Sequence, residues 1–386
     1  MILWNSRTRL VTVLAIALLV VAAVSFVAAG CGTQEETTTT QAPTTTQAGG
    51  TTTTQSQGAT TTAGAPLAGS LSGAGATFPK PLYIEWIGEF QNINPDVKID
   101  YQGIGSGGGI EQFTNMTVDF GASDAPMKDE EIAAAEAASG AKVLHIPTVF
   151  GAVVLAYNFE GVQELKLDDD VLAAIFLGNI TSWSDPKIAS LNSGVSLPDE
   201  AIQVVHRSDS SGTTNIFTSY LDAVNADWSS KVGKGKEVQW PVGVGGQGND
   251  GVAAVIKQQA GSIGYVELSY AIESQLTMAT LKNKAGNFVT PSLESTSAAA
   301  VGVTFPADLR FSLNNSDASG AYPIVGATWI LAYDKMKDAA KANILKAWLA
   351  WALNDGTAVA QDLGYAPLPD ELRTLALEKV DAIGTF

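Results

Sequence analysis

Cysteine and histidine are almost absent from this sequence of 386 residues, and their scarcity excludes several classes of site. A single cysteine, Cys31, leaves no partner for an intrachain disulfide. The histidines are His145 and His206, so histidine and cysteine together are too few for an ordinary zinc site. A Ser-His-Asp triad would have to use one of these two side chains. We therefore predict no metal and no cofactor.

Basic residues are also scarce, with 22 Lys and Arg against 39 Asp and Glu and a formal net charge of −17. This balance argues against a nucleic-acid partner, whose phosphates require clustered Lys and Arg. It also means that a site for an anion must consist of local, directed donors, because the overall field repels anions.

The N-terminus has the pattern of an export signal. Two arginines precede an apolar segment that ends at Gly30-Cys31, which is typical of a secretory signal. Small residues before a cysteine resemble a bacterial lipoprotein signal, although Ala28 stands where such signals more often carry Leu. We predict a signal peptide over residues 1–30 and a lipid anchor on Cys31 at the extracytoplasmic face of the cell membrane. The alternative is an uncleaved signal anchor, because about 20 apolar residues can span a bilayer.

Residues 31–68 are rich in threonine and have almost no large apolar side chains. Such a segment cannot bury enough surface to offset its chain entropy. We predict a disordered stalk here, with the folded part beginning at residue 69.

The segment at residues 201–221 predicts a strand, a hydroxyl-rich turn and a helix. A helix start presents unpaired N–H groups and the positive end of a dipole, so it favours an anion. Ser211 and Thr213 add hydroxyl donors, and Arg207 adds a planar fork that suits two oxygens. Asp209 would hold that fork in place. The alternative is an N-capped helix beside a surface Arg–Asp pair.

Another two segments repeat this order of strand, small-residue turn and helix. Thr77 follows the small residues 73–76, and Ser106 lies in the glycine-rich run 103–110. That run matches G-x-G-x-x-G, so a dinucleotide site is an alternative, although it does not follow the first strand. If the run binds no dinucleotide, we expect Ser106 to donate a hydrogen bond into the same cleft as Thr77.

Asp124 ends a further strand-to-turn segment, where a carboxylate beside an anion site at first looks unfavourable. An ionised carboxylate only accepts hydrogen bonds, so it favours an oxyanion that still carries a proton. Hydrogen phosphate has such a proton at neutral pH and sulfate does not. Asp124 therefore predicts discrimination against sulfate but not against arsenate. A simple cap of the turn near Pro126 is the alternative.

Several blocks in order closely resemble the phosphate-binding protein family of the bacterial phosphate ABC importer. They are GAGATFPKPLY, YQGIGSGGG, VDFGASDAPM, HRSDSSGTTNIFTSYL, WPVGVGGQGNDGVAAVI and GSIGYVE. The resemblance implies capture of inorganic phosphate without a metal, and delivery to an ABC permease. By position, the family's phosphate contacts fall on Thr77, Phe78, Ser106, Asp124, Arg207, Ser211, Gly212 and Thr213. Asp209 matches the acid that pairs with the binding arginine, and His206 receives no ligand role.

The resemblance also implies an α/β fold of type II periplasmic binding proteins, in which crossing strands join two lobes of mixed sheet flanked by helices. Apolar segments at 147–157 and 322–331 are the predicted crossings. The first lobe would then comprise residues 69–147 plus 322–386, and the second lobe residues 148–321. Two-lobed binding proteins of this plan hinge shut on their ligand.

The leading prediction is thus a monomeric binding protein and not an enzyme. The main rival is a hydrolase with Ser211 as nucleophile and His206 as base. Against it, the G-x-S-x-G pattern of a nucleophile elbow is missing around Ser211. The other rival is a binder of another oxyanion, either arsenate or sulfate.

Overall fold

A computed structural model describes residues 66–159 and 161–386. The predicted signal peptide, Cys31 and nearly all of the predicted stalk lie outside these described residues. Within the described ranges, no helix is long and apolar enough to cross a membrane.

The described part of the chain alternates strands and helices. The strands are β1 (Gly69–Gly75), β2 (Val97–Gly103), β3 (Phe120–Ser123), β4 (Val143–Asn158), β5 (Lys166–Leu167), β6 (Gln203–Arg207), β7 (Val244–Gly246), β8 (Ser262–Glu267), β9 (Thr277–Met278), β10 (Thr280–Lys282), β11 (Phe288–Val289), β12 (Val325–Tyr333), β13 (Lys335–Met336), β14 (Ala366–Pro367) and β15 (Gly384–Thr385). The helices are α1 (Lys80–Ile93), α2 (Ser106–Thr114), α3 (Asp129–Ser139), α4 (Asp169–Phe176), α5 (Pro186–Leu191), α6 (Gly212–Val224), α7 (Ala226–Lys231), α8 (Gly248–Gln258), α9 (Leu268–Glu273), α10 (Leu293–Ala298), α11 (Ala339–Asn354), α12 (Thr357–Asp362) and α13 (Asp370–Asp381).

One mixed sheet with the strand order β2-β1-β3-β12-β4-β8-β6-β7 organises the molecule. Parallel pairs form both ends of this order, β1 with β2 and β3 at one end and β6 with β7 and β8 at the other. Antiparallel β12 and β4 lie between them. The predicted α/β class with mixed sheets is confirmed.

Strand β4 passes from one end of the sheet to the other. Its residues from Val143 to Ala152 pair with β12, and those from Val153 to Asn158 pair with β8. The chain returns beside the same point, because Val153 N donates to the carbonyl of Ile324. These positions are those of the predicted crossing strands; the residue boundaries of the two lobes stay a prediction.

Helix α1 has proline in its first turn, as the sequence predicts, because proline lacks only an N–H that would be unpaired there. The spacing of Ile84, Trp86, Ile87 and Phe90 predicts an apolar stripe on this helix, and that prediction is wrong at Ile84, which is 49% exposed. The buried face instead comprises Leu82, Tyr83, Trp86, Ile87 and Phe90. Spacings of three and four residues link most of these positions, as a helix packed on a sheet requires.

Candidate anion-binding site

The candidate site lies where parallel strands end and helices begin. Ser106 is the first residue of α2, Gly212 of α6 and Gly248 of α8, while Thr77 and Phe78 lie between β1 and α1. Carboxyl ends of parallel strands form the usual ligand crevice of α/β sheets. Helix starts add unpaired N–H groups to that crevice. The predicted contact residues are all buried, and those other than Gly212 are each at most 3% exposed.

Arg207 and Asp209 form the charged centre of the site. Arg207 Nε donates to Asp209 Oδ1 at 2.8 Å and Nη2 to Oδ2 at 2.6 Å, a bidentate pair that fixes the guanidinium plane. Burial by itself would raise the pKa of Asp209, but the hydrogen bonds and charge of Arg207 lower it below its usual value. The predicted pairing is therefore confirmed, and it is buried, since the Arg207 side chain is 1% exposed.

Ser106 connects the two predicted lobes. Its hydroxyl oxygen accepts from Gly212 N at 3.1 Å and from Asp124 N at 3.1 Å. The same hydroxyl donates to Asp124 Oδ2 at 3.3 Å. A side chain at Gly212 would begin 2.4 Å from Ser106 Oγ and 2.6 Å from Asp124 Oδ2, so only glycine fits between them.

Asp124 has a second hydroxyl donor that the sequence did not indicate. Thr328 Oγ1, on the returning strand β12, donates to Asp124 Oδ1 at 2.8 Å. Burial raises the pKa of Asp124 to about 7, while Thr328, Arg207 and Ser106 lower it in part. The only signal in the sequence is a lone polar residue inside an apolar crossing segment. The predicted turn cap is not the main role of Asp124, because its oxygens face Thr328 and Ser106.

Ser211 is the N-cap of α6, where its hydroxyl accepts from Thr214 N at 3.1 Å. The capping interpretation is thus correct for Ser211, and its hydroxyl proton is not used by that bond.

His206 does not face Ser211. Its ring stacks on Trp240 with the ring centres 4.8 Å apart, and its Nδ1 lies 3.0 Å from the carbonyl of Arg207. This geometry does not favour a Ser211–His206 hydrolase.

The glycine-rich run before α2 has a packing role. A side chain at Gly105, whose φ is +88°, would begin 2.5 Å from Asp209 Oδ2, and one at Gly107 would meet Ser210. Gly107 N also donates to the carbonyl of Ser210 at 3.0 Å. The glycines at 105 and 107 therefore leave room for the loop that carries Asp209. This packing accounts for the glycine-rich run without a bound dinucleotide.

Asn249 is the main residue of the site that the sequence did not single out. The glycine-rich run 243–251 predicts either a loop that lines the mouth of the cleft or a simple flexible loop, ahead of a helix at 252–259. The predicted start of the helix is wrong, because α8 already begins at Gly248. Asn249 is fully buried and donates to both Thr77 and Thr213. Beside Thr77, the carbonyl of buried Phe78 accepts from Tyr365 OH at 2.6 Å. All eight predicted contacts and Asp209 thus lie in one cluster, and their ligand roles stay a prediction.

Comparisons with known proteins agree on one family. A family model described as a PBP superfamily domain matches residues 60–355. The phosphate-binding protein PstS of Pasteurella multocida is 44% identical over 82% of this chain and 90% of its own length. The phosphate-binding protein PstS of Methanocaldococcus jannaschii is 42% identical over 80% of this chain and 85% of its own. A solved phosphate-binding protein from Stenotrophomonas maltophilia has the same fold, with a TM-score of 0.62, 21% identity and coverage of 80% of this chain and 93% of its own.

Proposed function

The chain belongs to the PstS family of phosphate-binding proteins, and from this we propose that its cleft captures inorganic phosphate and delivers it to an ABC importer. The observation that carries this proposal is the buried Arg207, held by Asp209 among helix starts and beside the acceptor Asp124. This arrangement neutralises an oxyanion locally, although the net charge of the chain is −17.

Each proposed contact has a role in holding phosphate. Arg207 offers the two guanidinium N–H protons that its bonds to Asp209 and Thr213 leave unused, and the helix starts offer N–H groups and hydroxyls. Asp124 accepts the proton that hydrogen phosphate carries, whereas sulfate offers this carboxylate no proton. The proposed contacts are Thr77, Phe78, Ser106, Asp124, Arg207, Ser211, Gly212 and Thr213, with Asp209 as support.

We further propose that phosphate leaves the site chemically unchanged. In the described residues, the one histidine near Ser211 is stacked on Trp240, and no hydrogen bond joins the two side chains. A serine nucleophile needs such a base within hydrogen-bond reach. The cluster can therefore bind an oxyanion, while His206 is not placed to activate Ser211 for attack on one.

Titration calorimetry on the full chain, solubilised and freed of carried-over ligand, tests the function directly. We expect one phosphate per chain and no heat with sulfate. The Arg207→Ala variant should bind phosphate more weakly by about 2–5 kcal/mol, as for loss of one partner of a buried charge pair. The proposal would be contradicted if the wild-type chain gave no heat with phosphate, or if the variant bound phosphate as tightly as the wild-type chain.

The proposed location is the outer face of the cell membrane, with Cys31 as lipid anchor and residues 31–68 as a stalk that carries a monomeric binding domain. Metabolic labelling with a radioactive fatty acid tests the anchor. Label is expected in the wild-type chain and not in Cys31→Ala. An unlabelled wild-type chain that keeps residues 1–30 would instead establish the signal-anchor alternative.

A further inference from the structure

Building on the proposed phosphate site, we propose that Asn249 is a positioning residue that turns the hydroxyls of Thr77 and Thr213 into donors for the bound oxyanion. Asn249 is the second residue of α8 and is fully buried. It belongs to none of the proposed phosphate contacts and acts through two of them. The protons and lone pairs of these three side chains determine the direction of each hydrogen bond among them.

The orientation of the Asn249 amide is fixed by the backbone. Asn249 Oδ1 accepts from Glu267 N at 3.0 Å, and a backbone N–H can only donate. The opposite side of the amide is therefore its NH₂ group. That group donates to Thr77 Oγ1 at 3.0 Å and to Thr213 Oγ1 at 3.1 Å, which uses both of its protons.

Both threonine hydroxyls are thereby filled as acceptors. Thr77 Oγ1 also accepts from Asn249 N at 3.3 Å, and Thr213 Oγ1 also accepts from Arg207 Nη1 at 3.2 Å. A hydroxyl has two lone pairs and one proton. Each hydroxyl has therefore only its proton left, and in the described residues neither donates that proton to a protein acceptor.

This polarity gives the site two chemically different faces. Thr77 and Thr213 lie within reach of one tetrahedral oxyanion, because both oxygens lie within 3.1 Å of the same nitrogen. The two hydroxyls can only donate, so they pair with oxygens of the oxyanion that carry no proton. Asp124 supplies the acceptor for the oxygen that does carry a proton. Asn249 also links the lobes, since Thr77 belongs to the predicted first lobe and Thr213 to the second.

A double-mutant cycle on the full chain tests this role, with phosphate affinity measured by calorimetry. Asn249→Leu should weaken binding roughly tenfold to a hundredfold, the range for loss of a hydrogen bond to a charged group. The same substitution in a Thr77→Val, Thr213→Val chain should change the affinity little, because the hydroxyls through which Asn249 acts are gone. An equal loss in both backgrounds would overturn the proposal, because a purely structural asparagine would act independently of these hydroxyls.

Asn249→Asp provides an independent readout. A carboxylate in place of the NH₂ group would accept from both hydroxyls and turn their protons away from the ligand, so affinity should fall further than in Asn249→Leu. Wild-type affinity in Asn249→Asp would contradict the proposal. If Asn249→Leu does not fold, Asn249→Ser enters the same cycle.

The matched control is Asn192, another buried asparagine whose amide bonds only to backbone groups in the second lobe. Asn192→Leu should lower the melting temperature without changing phosphate affinity. If the unmodified chain fails to bind phosphate, the proposed function fails. If it binds normally and the cycle is additive, only the role of Asn249 fails.

Discussion

At the scale of single residues, Asp124 is the group to which the proposed function assigns anion selectivity. Its two oxygens accept from Thr328 and Ser106, and β12 has an irregularity in register directly after Thr328. Such irregularities are common beside functional sites because they re-aim a side chain. Burial raises the pKa of Asp124 to about 7. In the proposed complex, this carboxyl and hydrogen phosphate would share one proton, whereas sulfate would bring none.

Replacing this carboxylate should loosen anion selectivity. Asp124→Asn offers an amide NH₂ to an unprotonated oxygen, so we expect weaker phosphate binding and a smaller preference for phosphate over sulfate. Calorimetric competition between the two anions measures the ratio. An unchanged ratio would remove Asp124 from the account of specificity.

The same pKa gives selectivity a definite pH dependence. Below about pH 7 the buried Asp124 gains a proton and becomes a donor, and above it the carboxylate repels an unprotonated anion. Sulfate binding to the wild-type chain should therefore strengthen as pH falls through 7. Asp124→Asn, which does not titrate there, is the control and should show no such step. A flat sulfate profile in the wild-type chain would contradict the assignment.

At the scale of secondary structure, the site depends on helix starts that approach one another closely. The start of α2 meets the loop after β6, and Gly105 and Gly107 leave room for Asp209 and Ser210. Glycine is required at Gly105 on two grounds, the positive φ and the contact with Asp209 Oδ2. The Arg207–Asp209 fork is thus placed partly by the backbone of another segment.

Gly105→Ala should therefore weaken phosphate binding at least tenfold. With φ +88° and ψ 152°, Gly105 adopts a conformation that is essentially restricted to glycine, so a Cβ here costs about 1–3 kcal/mol of backbone strain. It also pushes Asp209 away from its bidentate pairing with Arg207. Gly88→Ala is the control, because a Cβ at this position of α1 meets nothing within 4 Å. Gly88→Ala should leave binding unchanged, and equal affinities in the two variants would contradict the steric argument.

At the scale of the whole molecule, contacts between the predicted lobes surround the site. Lys236 Nζ lies 2.7 Å from Glu131 Oε1, at the start of α3. Both side chains are mostly buried, at 15% and 27% exposed, so this pair is less screened than a surface pair. The carbonyl of Lys236 also accepts from Ser211 N at 2.9 Å, which joins the ion pair to the start of α6.

Lys236→Gln should weaken phosphate binding roughly 1.4-fold to fivefold, as for an ion pair worth about 0.2–1 kcal/mol. The loss should appear mainly as faster release, because the pair forms when the lobes are closed. Raising the salt concentration should reduce the difference in phosphate affinity between this variant and the wild-type chain. Lys231→Gln removes an exposed pair with Asp227 inside one short segment and should have no effect on release. Equal release rates for the Lys236→Gln and wild-type chains would refute an ionic contribution to closure.

The sequence by itself determined the local elements and the chemistry at the helix starts. The C-terminal sequence predicts a helix near residues 370–381, where α13 lies, and Ser211 caps α6 at the hydroxyl-rich turn. Capping and amphipathic spacing depend on residues within about one or two turns of each other, so a short stretch of sequence specifies them. The order of blocks along the chain then indicated the family and the cluster around Arg207.

Only the tertiary structure decided which distant side chains prepare those contacts. Asn249 reaches Thr77 across 172 residues, Thr328 reaches Asp124 across 204, and Lys236 reaches Glu131 across 105. These pairs have no local spacing that a sequence pattern can reveal. They form because the sheet order places β12 beside β3 and because the start of α8 lies beside the loop between β1 and α1. A buried amide or hydroxyl then finds its partner through packing, since an unpaired polar group costs free energy wherever it is buried.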